Sequence, residues 1–171
     1  MSTGEPGAPE PLRSNHQIDA FDSGVPALDQ WLTRRALANE AAGATRTFVT
    51  CQEGRVVGFY SLAAASIVHS IASSRIRRNM PDPIPAVVLA RLAVDRSLQG
   101  KGVGAGLLQD AALRTLAAAE SIGVRALLVH ALSDEAKRFY LKFGFRDSPI
   151  EPMTLMMTLE ELKREVGGES R

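Results

Sequence analysis

A glycine-rich turn between an apolar run and a long Ala- and Leu-rich segment most constrains the fold of this chain. Residues 86–94 form an almost unbroken apolar run, which predicts a central strand covered on both faces. Apolar residues at helical spacing then predict a helix over about 102–121, which Gly123 closes. Residues 99–105 lie between these elements, and their glycines let backbone N–H groups approach a phosphate at the positive end of the helix dipole. The turn is therefore predicted to hold a diphosphate, with a strand-to-helix loop that binds nothing as the alternative.

The spacing of the glycines excludes the two common nucleotide-binding loops. A Walker loop requires Gly-x4-Gly-Lys-Ser/Thr, and the dinucleotide fingerprint requires Gly-x-Gly-x-x-Gly. Gly100-Lys101-Gly102 begins like the fingerprint, but Ala105 stands where its third glycine is needed. What remains is Gln99-x-x-Gly102-x-Gly104, in which Lys101 either adds a charge toward the phosphates or is solvated.

A second segment, residues 125–145, has the pattern of a strand followed by a short capped helix. Ser133 is the predicted N-cap, acidic residues occupy the first turn, basic residues occupy the last turn, and Gly144 ends the helix. The crossover from the 86–94 strand to the 125–132 strand has about thirty residues, which predicts a parallel pair with a right-handed connection.

Taken in order, these elements resemble the GNAT acetyltransferases, which transfer acetyl from acetyl-CoA to an amine. The short helix ends in Phe139-Tyr140-x-x-x-Gly144-Phe145, and the two motifs have the separation found in that superfamily. Residues 15–162 are further similar to bacterial toxins that acetylate aminoacyl-tRNA, through the phrases at 92–95, 129–136 and 21–28. The resemblance implies an α/β (α+β) chain with the GNAT fold, a mixed central sheet of about six to seven strands flanked by about four helices.

The resemblance implies acetyl-CoA as cosubstrate and assigns residues to it. Backbone groups of the strand before the turn would pair with the pantetheine amides, at Leu92, Ala93 and Val94. Ser133 stands near the pantetheine arm, where the family often has Asn, and still offers a hydroxyl donor. The diphosphate would meet the turn itself, which comprises Gln99, Gly100, Lys101, Gly102, Val103, Gly104 and Ala105.

Tyr140 is the predicted catalytic residue. A phenol with a pKa of about 10 keeps its proton at pH 7 and can assist departure of the CoA thiolate. The resemblance places this tyrosine beside the thioester sulfur. Tyr140 also shares an apolar helix face with Ala136, Phe139 and Phe143, so the pattern alone leaves an ordinary core residue open.

The sequence offers no convincing general base, which bears on the acceptor. An α-amine with a pKa of about 7.8 costs about 3.5 kcal/mol less to deprotonate at pH 7 than a lysine at about 10.4. An aminoacyl ester could therefore react with water as proton carrier, and so could a protein N-terminus or some small amines.

Composition bears on the cellular compartment, on metal binding and on charged partners. One cysteine and no apolar run of membrane-spanning length indicate a cytoplasmic, membrane-free protein, and histidines without ligand spacing predict no metal. The first 30 residues carry five acids and one base, which leaves a charge of +5 on the rest of a chain whose net charge is +1. The basic residues proposed to meet tRNA, with a solvated surface as the alternative, are Arg75, Arg77, Arg78 and Lys142.

We expect one domain over residues 15–164, a disordered leader at 1–14 and a flexible tail at 165–171. A helix is predicted to start at Ser23 or Gly24, followed by a hairpin over 47–62 and a last strand at 154–159. No internal repeat is present.

Three functions follow from these patterns. The leading one is a toxin that acetylates the α-amine of aminoacyl-tRNA and blocks translation, with a ribbon-helix-helix antitoxin and a homodimer implied by the resemblance. The second is an N-acetyltransferase acting on a protein N-terminus, a lysine or a small amine. The third is a CoA-binding regulatory module without turnover.

Overall fold

The computed structural model describes residues 4–168. Within them lie a seven-stranded sheet, six α-helices and two short 3-10 turns at His69–Ile71 and Arg96–Leu98. The strands are β1 Glu10–Pro11, β2 Arg46–Gln52, β3 Arg55–Ile67, β4 Ile84–Val94, β5 Ala126–His130, β6 Arg146–Asp147 and β7 Thr154–Thr158. The helices are α1 Pro26–Arg34, α2 Ala36–Ala42, α3 Ser74–Arg77, α4 Val103–Ala118, α5 Asp134–Phe143 and α6 Leu159–Val166.

The sheet has the mixed topology that the sequence predicted. Its strand order is β1-β2-β3-β4-β5-β7-β6. β4 and β5 are parallel, with Ala86 opposite Ala126, whereas β1–β2, β2–β3, β5–β7 and β6–β7 are antiparallel. Because α4 provides the crossover from β4 to β5, the glycine turn lies directly after β4.

The chain divides into two compact units, of which the first comprises residues up to Ala63 together with Ala90–Asp110. Its hairpin β2–β3 turns at Glu53 and Gly54, both with positive φ, as predicted for a tight two-residue turn. Its core is largely aromatic and aliphatic and contains Leu12, Phe21, Trp31, Leu32, Ala36, Val49, Val56, Phe59 and Ala93.

The N-terminal segment differs from the disordered leader predicted for residues 1–14. β1 pairs with β2, Gly7 N donates to Cys51 O at 3.0 Å, and Leu12 is buried. A segment of low hydrophobicity is ordered here because the open edge of β2 satisfies its backbone groups, which a composition argument does not consider. Residues 1–3 lie outside the described part of the chain.

The second unit comprises Ala64–Leu89 and the chain from Ala111 onward. β5 lies between β4 and β7, and its residues 126–129 are buried. One core cluster joins Ala72, which lies just before α3, to apolar residues of β3, α3, β4, β5 and β7: Ile67, Ile76, Ile84, Ala86, Ala126, Leu128 and Met156.

The helices outnumber the expected four for local reasons. The predicted N-terminal helix begins at Pro26 but is interrupted at Arg35, where φ is −123°, so it becomes α1 and α2. The chain beyond β7 forms α6 because Thr158 and Glu161 make a reciprocal capping box, so the last strand ends at Thr158 rather than at residue 159. α6 reaches Val166, past the predicted domain end at 164, and residues 169–171 are not described.

None of the helices in residues 4–168 is both long and apolar enough to cross a membrane.

Candidate active site

The glycine turn is held by a buried carboxylate at the end of β4. Asp95 accepts hydrogen bonds from Asp22 N at 2.9 Å, Ser97 N at 3.1 Å and Ser97 Oγ at 2.7 Å. Burial alone would raise the pKa of Asp95, but these hydrogen bonds hold it below its usual value. Asp95 therefore ties the segment before α1 to the exit of β4 as an ionised group.

The side chain of Gln99 is used inside the protein rather than toward a ligand. Its Nε2 donates to Ser23 O and to Val94 O, both at 2.8 Å. These two bonds fix the position at which the chain leaves β4 for α4. The predicted contribution of Gln99 to phosphate binding is thereby limited to its backbone.

Two glycines give the turn its shape and leave it open. Gly100 and Gly102 have φ of +77° and +86°, a region that favours glycine, and no heavy atom lies within 4 Å of the place where a Cβ would stand. Gly106 N donates to Gly102 O at 3.0 Å, which is the first helical bond of this segment. The N–H groups of Val103, Gly104 and Ala105 precede that bond, so they are the amides that a helix start offers to an anion.

A cavity of about 260 Å³ lies at this turn. The N-terminal segment forms one side of the cavity, and the start of α4 forms another. Thr50 Oγ1 donates to Gly7 O at 2.6 Å and thereby anchors that segment to β2. The lining residues are Glu5, Pro6, Gly7, Pro9, Thr50, Lys101, Gly102, Val103, Gly106 and Leu107.

Gly58 on β3 is a positioning residue that the sequence analysis missed. A Cβ at residue 58 would stand 2.9 Å from Thr50 Cγ2 and 3.1 Å from Leu107 Cδ1. Only a residue without a side chain lets α4 start this close to the hairpin. The available signal was a glycine inside a strand pattern, which marks close approach of neighbouring chain.

The ring of Tyr140 packs in the core, whereas its hydroxyl has no hydrogen-bond partner within the described residues. Its side chain is 7% exposed, and its ring contacts Phe139 and Phe145 at centroid distances of 5.2 and 5.6 Å. No hydrogen bond to the Tyr140 hydroxyl is present within residues 4–168. Burial raises the pKa of Tyr140 far above its ordinary value, so the phenol is protonated at neutral pH. The ring is thus part of the core, and the O–H remains a donor for a ligand.

Ser133 is the N-cap of α5, as predicted. Its Oγ accepts from Ala136 N at 3.0 Å, and Asp134 and Glu135 lie exposed in the first turn, where they favour the helix dipole. The Ser133 hydroxyl proton is still available for donation. Ser133 and Tyr140 both belong to the second unit, whereas the glycine turn and residues 92–94 belong to the first.

The four basic residues predicted to meet tRNA fall into two kinds. Arg75 forms an ion pair with Glu161 at 3.0 Å and donates to Met156 O at 3.0 Å, so it links α3 to β7 and α6. Arg77 Nη1 donates to Ala72 O at 3.1 Å. The side chains of the exposed residues Arg78 and Lys142 have no hydrogen bond or ion pair within the described residues.

Glu161 is the partly buried partner that occupies Arg75. Burial alone would raise the pKa of Glu161, but the hydrogen bond and charge of Arg75 together with Thr158 N keep it lowered. A guanidinium committed to such a carboxylate is a poor choice for an RNA phosphate. Arg75 therefore has a structural role in linking α3 to α6, and its contact with tRNA stays a prediction.

A cluster of Glu10, His16 and Cys51, which the sequence analysis did not foresee, brings three potential ligand atoms within 4.8 Å of one another. Arg13 N donates to His16 Nδ1 at 2.9 Å, which leaves the ring proton on Nε2, 3.3 Å from Glu10 Oε1. Burial, followed by the Glu10 carboxylate, raises the pKa of Cys51 and keeps its thiol protonated. Because Arg13 N already occupies the Nδ1 lone pair of His16, we assign no metal to this cluster.

Comparison with known proteins identifies relatives along nearly the whole chain. The family model of the acetyltransferase (GNAT) domain matches residues 43–147. The curated tRNA-acetylating toxin of Mycobacterium tuberculosis (strain ATCC 25618 / H37Rv) is 51% identical over 160 residues, covering 94% of this chain and 96% of that protein.

Solved structures agree with this relationship. AtaT complexed with acetyl-methionyl-tRNAfMet is 28% identical with a TM-score of 0.84, and the match covers 91% of this chain and 96% of that chain. A Tyr-to-Phe mutant of the AtaT toxin bound to the C-terminus of the antitoxin AtaR and acetyl-CoA is 28% identical with a TM-score of 0.79, covering 91% and 94%.

Proposed function

The chain belongs to the GNAT acetyltransferase family, and we propose that it acetylates the α-amino group of aminoacyl-tRNA and thereby blocks translation as a toxin. The observation that carries this proposal is the similarity of nearly the full chain to a curated tRNA-acetylating toxin. The related AtaT, which binds an acetylated methionyl-tRNA, supports the same acceptor.

Acetyl-CoA is the proposed acetyl donor. The amides at Val103, Gly104 and Ala105 suit its diphosphate, because they are the free N–H groups of a helix start next to two open glycines. Leu92, Ala93 and Val94 are proposed to pair with the pantetheine amides through their backbone, and Ser133 to donate to the arm. The bound acetyl-CoA in the related AtaT structure supports this assignment of the donor.

The chemistry is a single acyl transfer. The neutral amine nitrogen forms a bond to the thioester carbonyl carbon, the C–S bond breaks, and the electron pair of that bond leaves with the sulfur. Tyr140 O–H donates a hydrogen bond to the departing sulfur, and the proton lost by the amine reaches the thiolate through water. This role suits a phenol whose pKa is raised by burial, because it stays protonated and stabilises negative charge without giving up its proton.

An α-amine acceptor does not require a general base from the protein. The residues proposed to contact acetyl-CoA include no carboxylate or histidine, so no general base is assigned among them. An α-amine is neutral often enough at pH 7 to react without a strong base, unlike a lysine.

We assign this activity to the cytoplasm, where charged tRNA is found. A ribbon-helix-helix antitoxin is the proposed inhibitor, supported by the AtaR segment bound to the related AtaT. A homodimer is the proposed assembly.

The decisive experiment offers several acceptors in parallel. Purified protein and labelled acetyl-CoA are incubated with charged tRNA, uncharged tRNA, peptides with free N-termini or lysines, and polyamines. Label in acetyl-aminoacyl product from charged tRNA alone is the expected result. Label in peptides or polyamines instead would transfer the assignment to another amine, and CoA binding without any product would indicate a regulatory module.

A further inference from the structure

Arg91, on β4, has an unusual environment in the first unit. Its guanidinium carbon lies 4.0 Å from the centroid of the Trp31 ring, in cation–π geometry. Trp31 is itself fixed, because it is 9% exposed and stacks on Phe59 at 6.0 Å with an interplanar angle of 12°. The arginine is therefore presented on a rigid aromatic platform.

The guanidinium has no anionic partner in the described part of the chain. Within residues 4–168, the Arg91 side chain takes part in no hydrogen bond or ion pair, whereas those of Arg46, Arg75 and Arg96 each pair with a carboxylate. Arg91 is half-buried, and burial lowers its pKa, because part of its hydration is lost and the Trp31 ring replaces water on one face of the guanidinium only. A half-buried cation in this state is suited to an anion that arrives with a ligand.

The chemistry of the group narrows the anion. With one face on Trp31, the edge of the guanidinium presents its N–H donors in a planar fork, which matches phosphate oxygens in two parallel hydrogen bonds. Arg91 immediately precedes residues 92–94, the backbone proposed to receive the pantetheine arm. The diphosphate of the donor is proposed to lie at the helix start beyond Gln99, and the 3′-phosphate of CoA is farther from the arm than the diphosphate is. An anion at Arg91 thus belongs to the acceptor.

We propose that Arg91, positioned by Trp31, binds the phosphate that joins the aminoacylated terminal nucleotide to the rest of the tRNA. This inference rests on the proposed function. The carboxyl group of the amino acid is esterified in this acceptor and carries no charge, so that phosphate is the fixed negative charge next to the reacting amine. Arg91 would therefore select an aminoacyl nucleotide over free amino acids and polyamines.

The test uses two minimal acceptors that differ only in that phosphate: 3′-aminoacyl-adenosine with and without a 5′-phosphate. For the wild-type protein, kcat/KM is expected to be about tenfold or more higher with the phosphate, the size of one charged hydrogen-bonded contact. Equal values for the two acceptors would overturn the proposal, and this comparison needs no variant.

Variants then assign the effect to Arg91. Arg91→Met keeps an apolar chain against Trp31 and should lower kcat/KM about tenfold for the phosphorylated acceptor only. Arg91→Lys keeps the charge but not the planar fork of donors, so its kcat/KM for the phosphorylated acceptor should lie between those of the wild type and Arg91→Met. Arg46→Met removes one equally positive, exposed side chain from β2 and should leave both acceptors unchanged.

The outcomes separate this inference from the proposed function. Suppose that the wild-type protein acetylates both acceptors, and that Arg91→Met either lowers kcat/KM equally for the two or binds CoA more weakly in calorimetry. Either result would overturn the assignment of Arg91 and leave the acetyltransferase proposal standing. Failure of the wild-type protein to acetylate either acceptor or charged tRNA would refute the proposed function itself.

Discussion

Replacement of Gly58 by alanine tests whether the hairpin sets the position of the α4 start. The backbone of residue 58 is not in the left-handed region, so the alanine meets a steric rather than a conformational obstacle. Its Cβ would stand 2.9 Å from Thr50 Cγ2 and 3.1 Å from Leu107 Cδ1. Overpacking of this kind costs about 1–3 kcal/mol, partly offset by about 0.4–1 kcal/mol from the less flexible unfolded chain. We expect the free energy of unfolding to fall by about 1–2 kcal/mol.

A second substitution should restore part of the stability that Gly58→Ala removes. Thr50→Ser deletes Cγ2 but keeps the Oγ that donates to Gly7 O. In a double-mutant cycle measured by urea unfolding, Gly58→Ala and Thr50→Ser should therefore couple favourably by about 1 kcal/mol. Gly106→Ala, where no atom lies within 4 Å of the added Cβ, is the matched control and should stabilise the protein by about 0.5–1 kcal/mol.

Acetyl-CoA affinity gives the functional readout of this prediction. Displacement of the α4 start by the added methyl should weaken the binding measured by calorimetry, and Thr50→Ser should restore part of it. Stability of Gly58→Ala within 0.5 kcal/mol of wild type, or zero coupling to Thr50→Ser, would refute the argument that this contact places the helix.

Three further changes test the site. Tyr140→Phe should keep the fold and the CoA affinity but lower the transfer rate about a hundredfold or more, measured with charged tRNA, and wild-type rates would return Tyr140 to a purely structural role. Asp95→Asn should lower the free energy of unfolding by about 1–3 kcal/mol at pH 7. Because the pKa of Asp95 is lowered in the folded protein, the difference in stability between the variant and the wild type should narrow as the pH falls below about 4. A difference that stays constant with pH in unfolding experiments would contradict this. Arg75→Met should cost about 1–3 kcal/mol, because Glu161 loses its hydrogen-bonded cation and keeps only the more distant Arg146 at 3.9 Å. Arg78→Met should leave stability unchanged and reduce by about one the slope of log binding constant against log salt concentration for tRNA; equal thermal shifts for the two variants would count against the distinction.

Local pattern was sufficient for most of the fold. The hairpin, the parallel pair β4–β5, the N-cap at Ser133 and the end of α5 at Gly144 follow from apolar spacing and from residues with fixed conformational preferences, and the structure confirms them. The interruption at Arg35 and the box at Thr158 and Glu161 depend on a few dihedral angles and side-chain bonds at helix ends, where periodicity carries little information.

The candidate site was predictable only where backbone chemistry determines it. The glycines at residues 100 and 102 predict an open helix start. The sequence pattern does not indicate that Arg75 pairs with Glu161, which lies 86 residues away along the chain. The wall formed by Gly7 and the platform under Arg91 are likewise products of strand pairing and packing between distant segments. Charge and composition describe such residues equally well as solvated surface.

The ring and the hydroxyl of Tyr140 have separate roles, and this has a practical consequence. Its ring packs against Phe139 and Phe145, while its oxygen makes no hydrogen bond within residues 4–168. Removal of that single oxygen should therefore yield a harmless but correctly shaped polypeptide, which host cells can accumulate without a co-expressed neutraliser. Such material would serve as bait for the inhibitory partner and as a stable vehicle for trapping unreacted substrate complexes.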